Sequence, residues 1–202
     1  MSNKTFPLKN LLLTAFFAVL TSIGAMLSVP LPFMPVPITV QSFIVLMSGL
    51  LLGPKYGPLS QMLYVVMGLI GLPVFAGGTG GPQTVFSPSF GFLIGFIVAS
   101  WIGGLLASKA QTFLQYALVS LAATVGLYAV GLPGFYLIMR FAAGKELDFV
   151  RVVQLAFLPF LVPDLIKIVV SGWLASRAVP TLEGAGLLSH RPLPAAEENS
   201  PV

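Results

Sequence analysis

Cysteine is absent from the 202 residues, which excludes disulfide frameworks, thiolate nucleophiles, iron–sulfur clusters and cysteine-ligated zinc. Histidine occurs once, at His190 near the chain end, so the apolar segments can form neither a Ser-His dyad nor a histidine-ligated metal site, and no metal ligand set is assigned. Charge is nearly as scarce. Only 8% of residues are Asp, Glu, Lys or Arg, where a soluble globular chain carries about 25%. Hydrophobic residues make up 56% and the mean hydropathy is +0.97, so an ordinary water-soluble domain is excluded. The net charge of +4 comes from singly scattered Lys and Arg, whereas a nucleic-acid face needs them clustered.

What is present is hydrocarbon in long runs. From Asn10 to Met139 the only charged residues are Lys55 and Lys109, and the uncharged gaps on either side of Lys55 are each long enough for about two helices of ~20 residues across a core of ~30 Å. Polar and proline-rich breaks give six apolar segments: Leu11 to Val29, Val40 to Leu52, Leu59 to Leu72, Gly91 to Ala107, Phe113 to Val130, and Leu155 to Ala175. The reading is an all-α integral membrane protein of six transmembrane helices with structured outer loops. The second and third segments are short, so loops or tilt must complete them.

A cytoplasmic N-terminus puts Lys4, Lys9, Lys55, Lys109, Arg177 and Arg191 inside and Arg140, Lys145 and Arg151 outside, the latter offset by Glu146 and Asp148. That bias predicts both termini in the cytoplasm of a prokaryotic plasma membrane. The first apolar run is too long for a signal peptide and is followed by further spans, so it reads as an uncleaved helix. Residues 1–179 form the membrane domain; 180–202 read as a disordered cytoplasmic tail or a cloning remnant.

Four features point to chemistry. Asp164 and Lys167 sit three residues apart inside the last apolar segment, on one helical face. An ionised side chain at bilayer depth costs about 2.5–3.5 kcal/mol even on the lenient scale, so neither should face lipid. One reading is a self-neutralising pair; the other is a ligand clamp in which Asp164 accepts from N–H groups and Lys167 donates. Pro159 and Pro163 remove backbone donors nearby and would open the helix there. The run Ala76-Gly77-Gly78-Thr79-Gly80-Gly81-Pro82 is either a flexible link or a loop whose amides approach a ligand; it lacks the Gly-Lys-Ser/Thr of a phosphate loop. Pro30, Pro32, Pro35 and Pro37 force an extended path into Thr39 and Gln41, where Thr39 suits a helix cap and Gln41 a polar ligand. Small residues recur every fourth position, at Gly91, Gly95, Ala99, Gly103 and Ala107 and at Thr14, Ala18 and Ser22. The longer stripe predicts close packing within the protein, the shorter either that or a partner subunit.

Pro35-Val-Pro-Ile-Thr-Val-Gln41, Gly71-Leu-Pro-Val-Phe-Ala-Gly-Gly-Thr-Gly-Gly81, Ser87-Pro-Ser-Phe-Gly-Phe-Leu-Ile-Gly-Phe96 and Pro163-Asp-Leu-Ile-Lys167 occur in the order that resembles the BioY family, over about residues 8–178. Those proteins are the biotin-binding S components of energy-coupling factor (ECF) vitamin transporters. The resemblance implies high-affinity biotin binding and uptake, a site near the outer face under two loops, and no catalysis or cofactor of its own. The implied partners are one transmembrane coupling protein (the T component) and two cytoplasmic ATPases. It implies a docking patch around Ala15, Ala18 and Ser22. Biotin's ureido ring, apolar thiophane and acid tail suit Asp164, Lys167, Gln41 and Thr39, the loop residues Gly78, Thr79 and Gly80, and walls from Phe75, Phe90 and Tyr136.

Two other classes remain in play. A stand-alone ion-coupled secondary transporter of biotin or a related small carboxylate can use Asp164 as its titrating group. An intramembrane hydrolase is reduced to a Ser-Lys arrangement of Ser171 and Lys167, in which Asp164 would compete for the lysine.

Overall fold

The computed structural model describes residues 8–31, 34–145, 147–185 and 188. Lys4, Glu146, His190, Arg191 and most of the expected tail lie outside them. The elements are α1 (Leu8–Met26), β1 (Ser28–Val29), β2 (Ile38–Thr39), α2 (Gln41–Leu69), α3 (Phe90–Ala107), α4 (Phe113–Leu137), α5 (Phe149–Ala156) and α6 (Leu161–Gly184). Four stretches, Leu8–Met26, Phe90–Ala107, Phe113–Ala142 and Phe149–Gly184, are long and apolar enough to cross a membrane.

The two short apolar segments of the sequence are the arms of α2, which folds back on itself. Gly53 breaks the helix at φ 74° and ψ −175°, a backbone state open essentially to glycine alone, and Pro54 starts the second arm. Gln41 donates to the Tyr64 hydroxyl at 2.5 Å and Gln61 to Ser48 at 3.1 Å. In a straight helix residues 41 and 64 would stand about 34 Å apart, so arms 41–52 and 54–69 run antiparallel.

Glycine lets the helices touch backbone to backbone. A Cβ on Gly49 would meet the Ser100 carbonyl at 2.5 Å, one on Gly104 the Gly53 carbonyl carbon at 2.4 Å, and one on Gly91 the Gly134 Cα at 2.8 Å. The stripe on α3 therefore faces protein, as its spacing predicts. The stripe on α1 does too. Ala18 is fully buried and Ser22 nearly so. On the same helix Thr21 reaches Gln61 at 3.3 Å. Ala18 and Ser22 are thus unavailable for docking, and of the three expected docking residues only Ala15 is exposed.

The last apolar segment is not one helix. The amphipathic α5, capped by Asp148 accepting from the Arg151 amide at 2.9 Å, ends at Ala156. A 3-10 turn, Leu158–Phe160, follows. Pro159 and Pro163 therefore do not open a running helix. They occupy the turn and the first turn of α6, where an N–H would have no intrahelical partner. At its other end α6 continues through Pro180 to Gly184, past the expected domain boundary. Thr112 and Gln115 form the capping box of α4, which runs through Pro133 into a π-helical turn at Ile138–Ala142.

The packing sorts the basic residues between two ends. Gly104 of α3 meets Gly53 and Pro54 of the α2 turn, which brings Lys55 and Lys109 to one end; Gly24 of α1 meets Gln41 at the other. Lys9 and Arg177 fall at the first end, and Arg140, Lys145 and Arg151 at the second.

Candidate ligand-binding site

The second end is closed by two loops with different locks. Pro30, Pro35 and Pro37 lie between the strands of a short antiparallel ribbon, in which Ser28 pairs with Thr39 and Val29 with Ile38. Thr39 is thus a strand residue, and the cap position of α2 is Val40, so the capping role does not hold. The glycine-rich run makes a tight hairpin. Phe75 and Thr79 pair across Ala76, Gly77 and Gly78, and the two glycines take the positive φ values, 75° and 68°, that the turn needs. The Phe75 ring lies on Gly68, where no Cβ would fit, and edge-on to Tyr64 at 5.4 Å.

Beneath the loops a narrow cavity of about 60 Å³ runs between α2, α3, α4 and α6. Its polar end holds Asp164, Lys167, Ser42, Tyr128, Gln41 and Thr39; its walls are Phe92, Leu93, Phe96, Leu127 and Phe160. Lys167 Nζ stands 2.9 Å from Asp164 Oδ1 and donates to Ser42 Oγ at 2.8 Å. Tyr128 donates to Asp164 Oδ2 at 2.5 Å, and Ser42 reaches Oδ1 at 3.4 Å. Asp164 is 8% exposed. Each carboxylate oxygen is therefore engaged, which is what an ion pair inside an apolar bundle needs to persist. The quartet sets an acceptor and a cationic donor side by side, the arrangement a neutral ligand with adjacent N–H and C=O groups can join.

Pro37, Gln41, Ala76, Ser89 and Leu93 are shared with a second, outer cavity of about 190 Å³, lined also by Phe75, Thr79, Thr84 and Ser87. The combined space is elongated, charged at its inner end and neutral at its outer end, where Ser87 and Ser89 hydroxyls lie 2.9 Å apart.

Six of the ten expected binding residues line this space: Asp164, Lys167, Gln41 and Thr39 in the inner part, with Phe75 and Thr79 in the outer. Four do not. Gly78 sits at the hairpin tip, where an added Cβ would meet none of the described residues, and Gly80 packs on the Leu72 carbonyl. Phe90 packs into the core beside the cavity, whose wall is Phe92. Tyr136 lies two turns beyond the cavity's tyrosine and accepts from Arg140 at 2.5 Å. Sequence reasoning missed Tyr128 and Ser42. Tyr128 carried a signal, since a phenol in a charge-free span needs a buried partner; Ser42 carried none. Among the described residues Ser171 is buried with no hydrogen-bond partner and is not bonded to Lys167, so the Ser-Lys arrangement is not formed.

Several apolar helices of crossing length around a small loop-covered polar cavity define a membrane protein built to enclose a small solute. The family model described as BioY family matches residues 1–184, and the chain belongs to that family. It is 38% identical over 170 residues to the Biotin transporter BioY of Thermotoga maritima, covering 84% of this chain and 95% of that protein. It is 38% identical over 181 residues to the Biotin transporter BioY of Rhizobium etli, covering 85% and 92%. Among solved structures, the crystal structure of the S-component for biotin from an ECF-type ABC transporter superposes with a TM-score of 0.76 at 27% identity, covering 89% of this chain and 95% of that one.

Proposed function

We propose that this chain is the biotin-binding S component of an ECF-type transporter, with the ureido ring held at the inner end of the cavity and the carboxylate at the outer end. The observation that carries the reading is the quartet of Asp164, Lys167, Ser42 and Tyr128 inside the loop-covered cavity. A ureido group has two N–H donors flanking one strong acceptor, so Asp164 takes N–H bonds and Lys167 donates to the carbonyl. The acid tail belongs away from Asp164, because two carboxylates side by side repel. Ser87, Ser89 and Thr84 offer neutral hydroxyl donors at the outer end. Membership of a family of transporters supports uptake rather than catalysis as the outcome of binding.

The arms of α2 count as two crossings, so six spans thread the plasma membrane, and the end bearing Lys9, Lys55, Lys109 and Arg177 is cytoplasmic. A coupling protein and two ATPases supply the energy for release. The docking face is the lipid-side row of α1 that includes Ala15, Leu12, Phe16 and Val19. The test is equilibrium binding of labelled biotin to the purified chain with dethiobiotin, biotin amide and lipoate as competitors. Dethiobiotin, which keeps the ureido group, should compete; lipoate, which lacks it, should not. Competition by lipoate as strong as by dethiobiotin would reverse the assignment of the two ends.

A further inference from the structure

A second cavity also reaches Asp164. It is a groove of about 470 Å³ between α4 and the α5–α6 corner, lined by Leu121, Val125, Ala129, Leu132, Phe157 and Leu165, with Tyr128 and Asp164 at its floor. Its rim residues Leu121, Val125, Leu161 and Leu165 are 42%, 61%, 42% and 49% exposed. They belong to two of the stretches long enough to cross a membrane, so the groove opens sideways onto the bilayer. From Leu121 to Leu132 it follows α4 for about 16 Å, parallel to the helix and therefore to lipid tails.

Nothing in the groove calls for a polar occupant. Thr124 donates to the Ser120 carbonyl at 2.8 Å, Tyr128 to Asp164, and Asp164 takes Lys167 on its other oxygen. The groove also shares a wall with the ligand cavity. The Tyr128 ring stands edge-on between Phe92 at 6.1 Å, which lines that cavity, and Phe157 at 5.0 Å, which lines the groove.

We propose that the groove is a binding site for one acyl chain of a bilayer phospholipid, and that this chain, packed behind Phe157, holds Tyr128 on Asp164 and so sets ligand affinity. An unfilled apolar groove forfeits dispersion contacts along its lining. Water entering it would compete for the Tyr128–Asp164 hydrogen bond, which apolar surroundings on that side strengthen. Hydrocarbon meets both needs. The acyl-chain site stands on the groove's own geometry, and only its effect on affinity rests on the proposed biotin site.

The test uses the purified full chain in phosphatidylcholine nanodiscs containing a trace of phosphatidylcholine with a diazirine on its acyl chain. After irradiation, adducts mapped by mass spectrometry should concentrate severalfold on Val125, Ala129, Leu132 and Leu165. The references are Val19 and Val66, which are comparably exposed elsewhere. Ala129→Phe, which fills the groove, should bring those adducts down to the reference level and leave Val19 and Val66 unchanged; Val125→Phe is the second filling variant if the first does not fold. Uniform labelling would overturn the site. For the coupling, biotin affinity of the unaltered chain should fall about fivefold on transfer from nanodiscs to a short-tailed detergent, the low end of coupling between two sites. The filled variant should hold its affinity. A variant as sensitive as the unaltered chain would overturn the coupling, and a chain that binds no biotin in either medium would overturn the biotin reading while the adduct map still decides the lipid site.

Discussion

The two ends of the bundle use the same small polar residues for opposite purposes. At the Lys55 end, Gly49, Gly104, Ser48 and Ser100 bring α2 and α3 into backbone contact, and Ser48 and Ser100 hydroxyls meet at 2.8 Å with no cavity between them. At the loop end α3 and α4 still touch at Gly91 and Gly134, but beside that seam Phe92, Phe96 and Tyr128 wall a space that serine and threonine hydroxyls also line. A solute site in a membrane bundle thus needs a tight half to fix the spread of the open half. Changes in the first should act on folding, and changes in the second on binding.

The largest expected effect is in the tight half. Gly104→Val places a side chain on the Gly53–Pro54 backbone, where neither partner can yield. Overpacking of a well-packed core costs about 1–3 kcal/mol and more where only backbone can move. The variant should lose most of its monodisperse fraction on mild heating in size-exclusion chromatography. A folded, heat-stable Gly104→Val protein that binds biotin would break the division.

In the open half, Asp164→Asn removes a charge that accepts from Tyr128, Lys167 and the proposed ureido N–H groups. Hydrogen bonds to a charged group contribute about 1.5–3 kcal/mol each, so losing two weakens biotin binding about a hundredfold or more. The heating profile should fall as well, though less than for Gly104→Val, because Lys167 keeps Ser42 and a neutral acceptor but loses its counter-charge. Tyr128→Phe deletes one hydrogen bond and keeps the ring between Phe92 and Phe157. Its expected effect is about tenfold on biotin affinity by isothermal titration. Unchanged affinity in both variants would remove the quartet from the binding site.

Much of this division was legible before the structure. Asp164 and Lys167 stood out because ionised groups inside a hydrocarbon run demand a reason, and the stripe from Gly91 to Ala107 because its period matches a helix face. The fold-back of α2 was legible as two short segments, but not as one hairpin turning on a single glycine, since Gly53 has the same sequence signature as a C-cap. Other features were set by tertiary context. Whether Ala18 faces lipid or α2 depends on how α1 rotates, which a helix apolar all round does not encode. Phe90 and Phe92, two residues apart, are equivalent by composition, and only the seating of α3 against α4 sends one to the cavity. Tyr128 and Tyr136, eight residues apart on α4, share a face by periodicity but differ in depth, so the deeper one reaches Asp164.

The finest test contrasts one residue type in the two halves. Gln41 and Gln61 are both buried, at 3% and 0% exposure, and both donate across the α2 hairpin. Gln61 also donates to Ser60 at 3.1 Å and accepts from Thr21. Each of its partners has a second acceptor: Thr21 bonds the Phe17 carbonyl, Ser48 the Val45 carbonyl and Ser60 the Gly57 carbonyl. Gln61→Met therefore orphans nothing and replaces a buried amide with hydrocarbon of similar volume, for which the expected stability change is under about 1 kcal/mol. Biotin affinity should stay within about twofold, since nothing at the cavity moves. Gln41→Met, by contrast, strips a polar group from the wall shared by both cavities and leaves the Tyr64 hydroxyl only the Val74 carbonyl at 3.3 Å, so it should weaken biotin binding severalfold. Equal losses from the two substitutions would mean that the tight half responds to ligand as the open half does, and the contrast between a passive frame and an active site would fail.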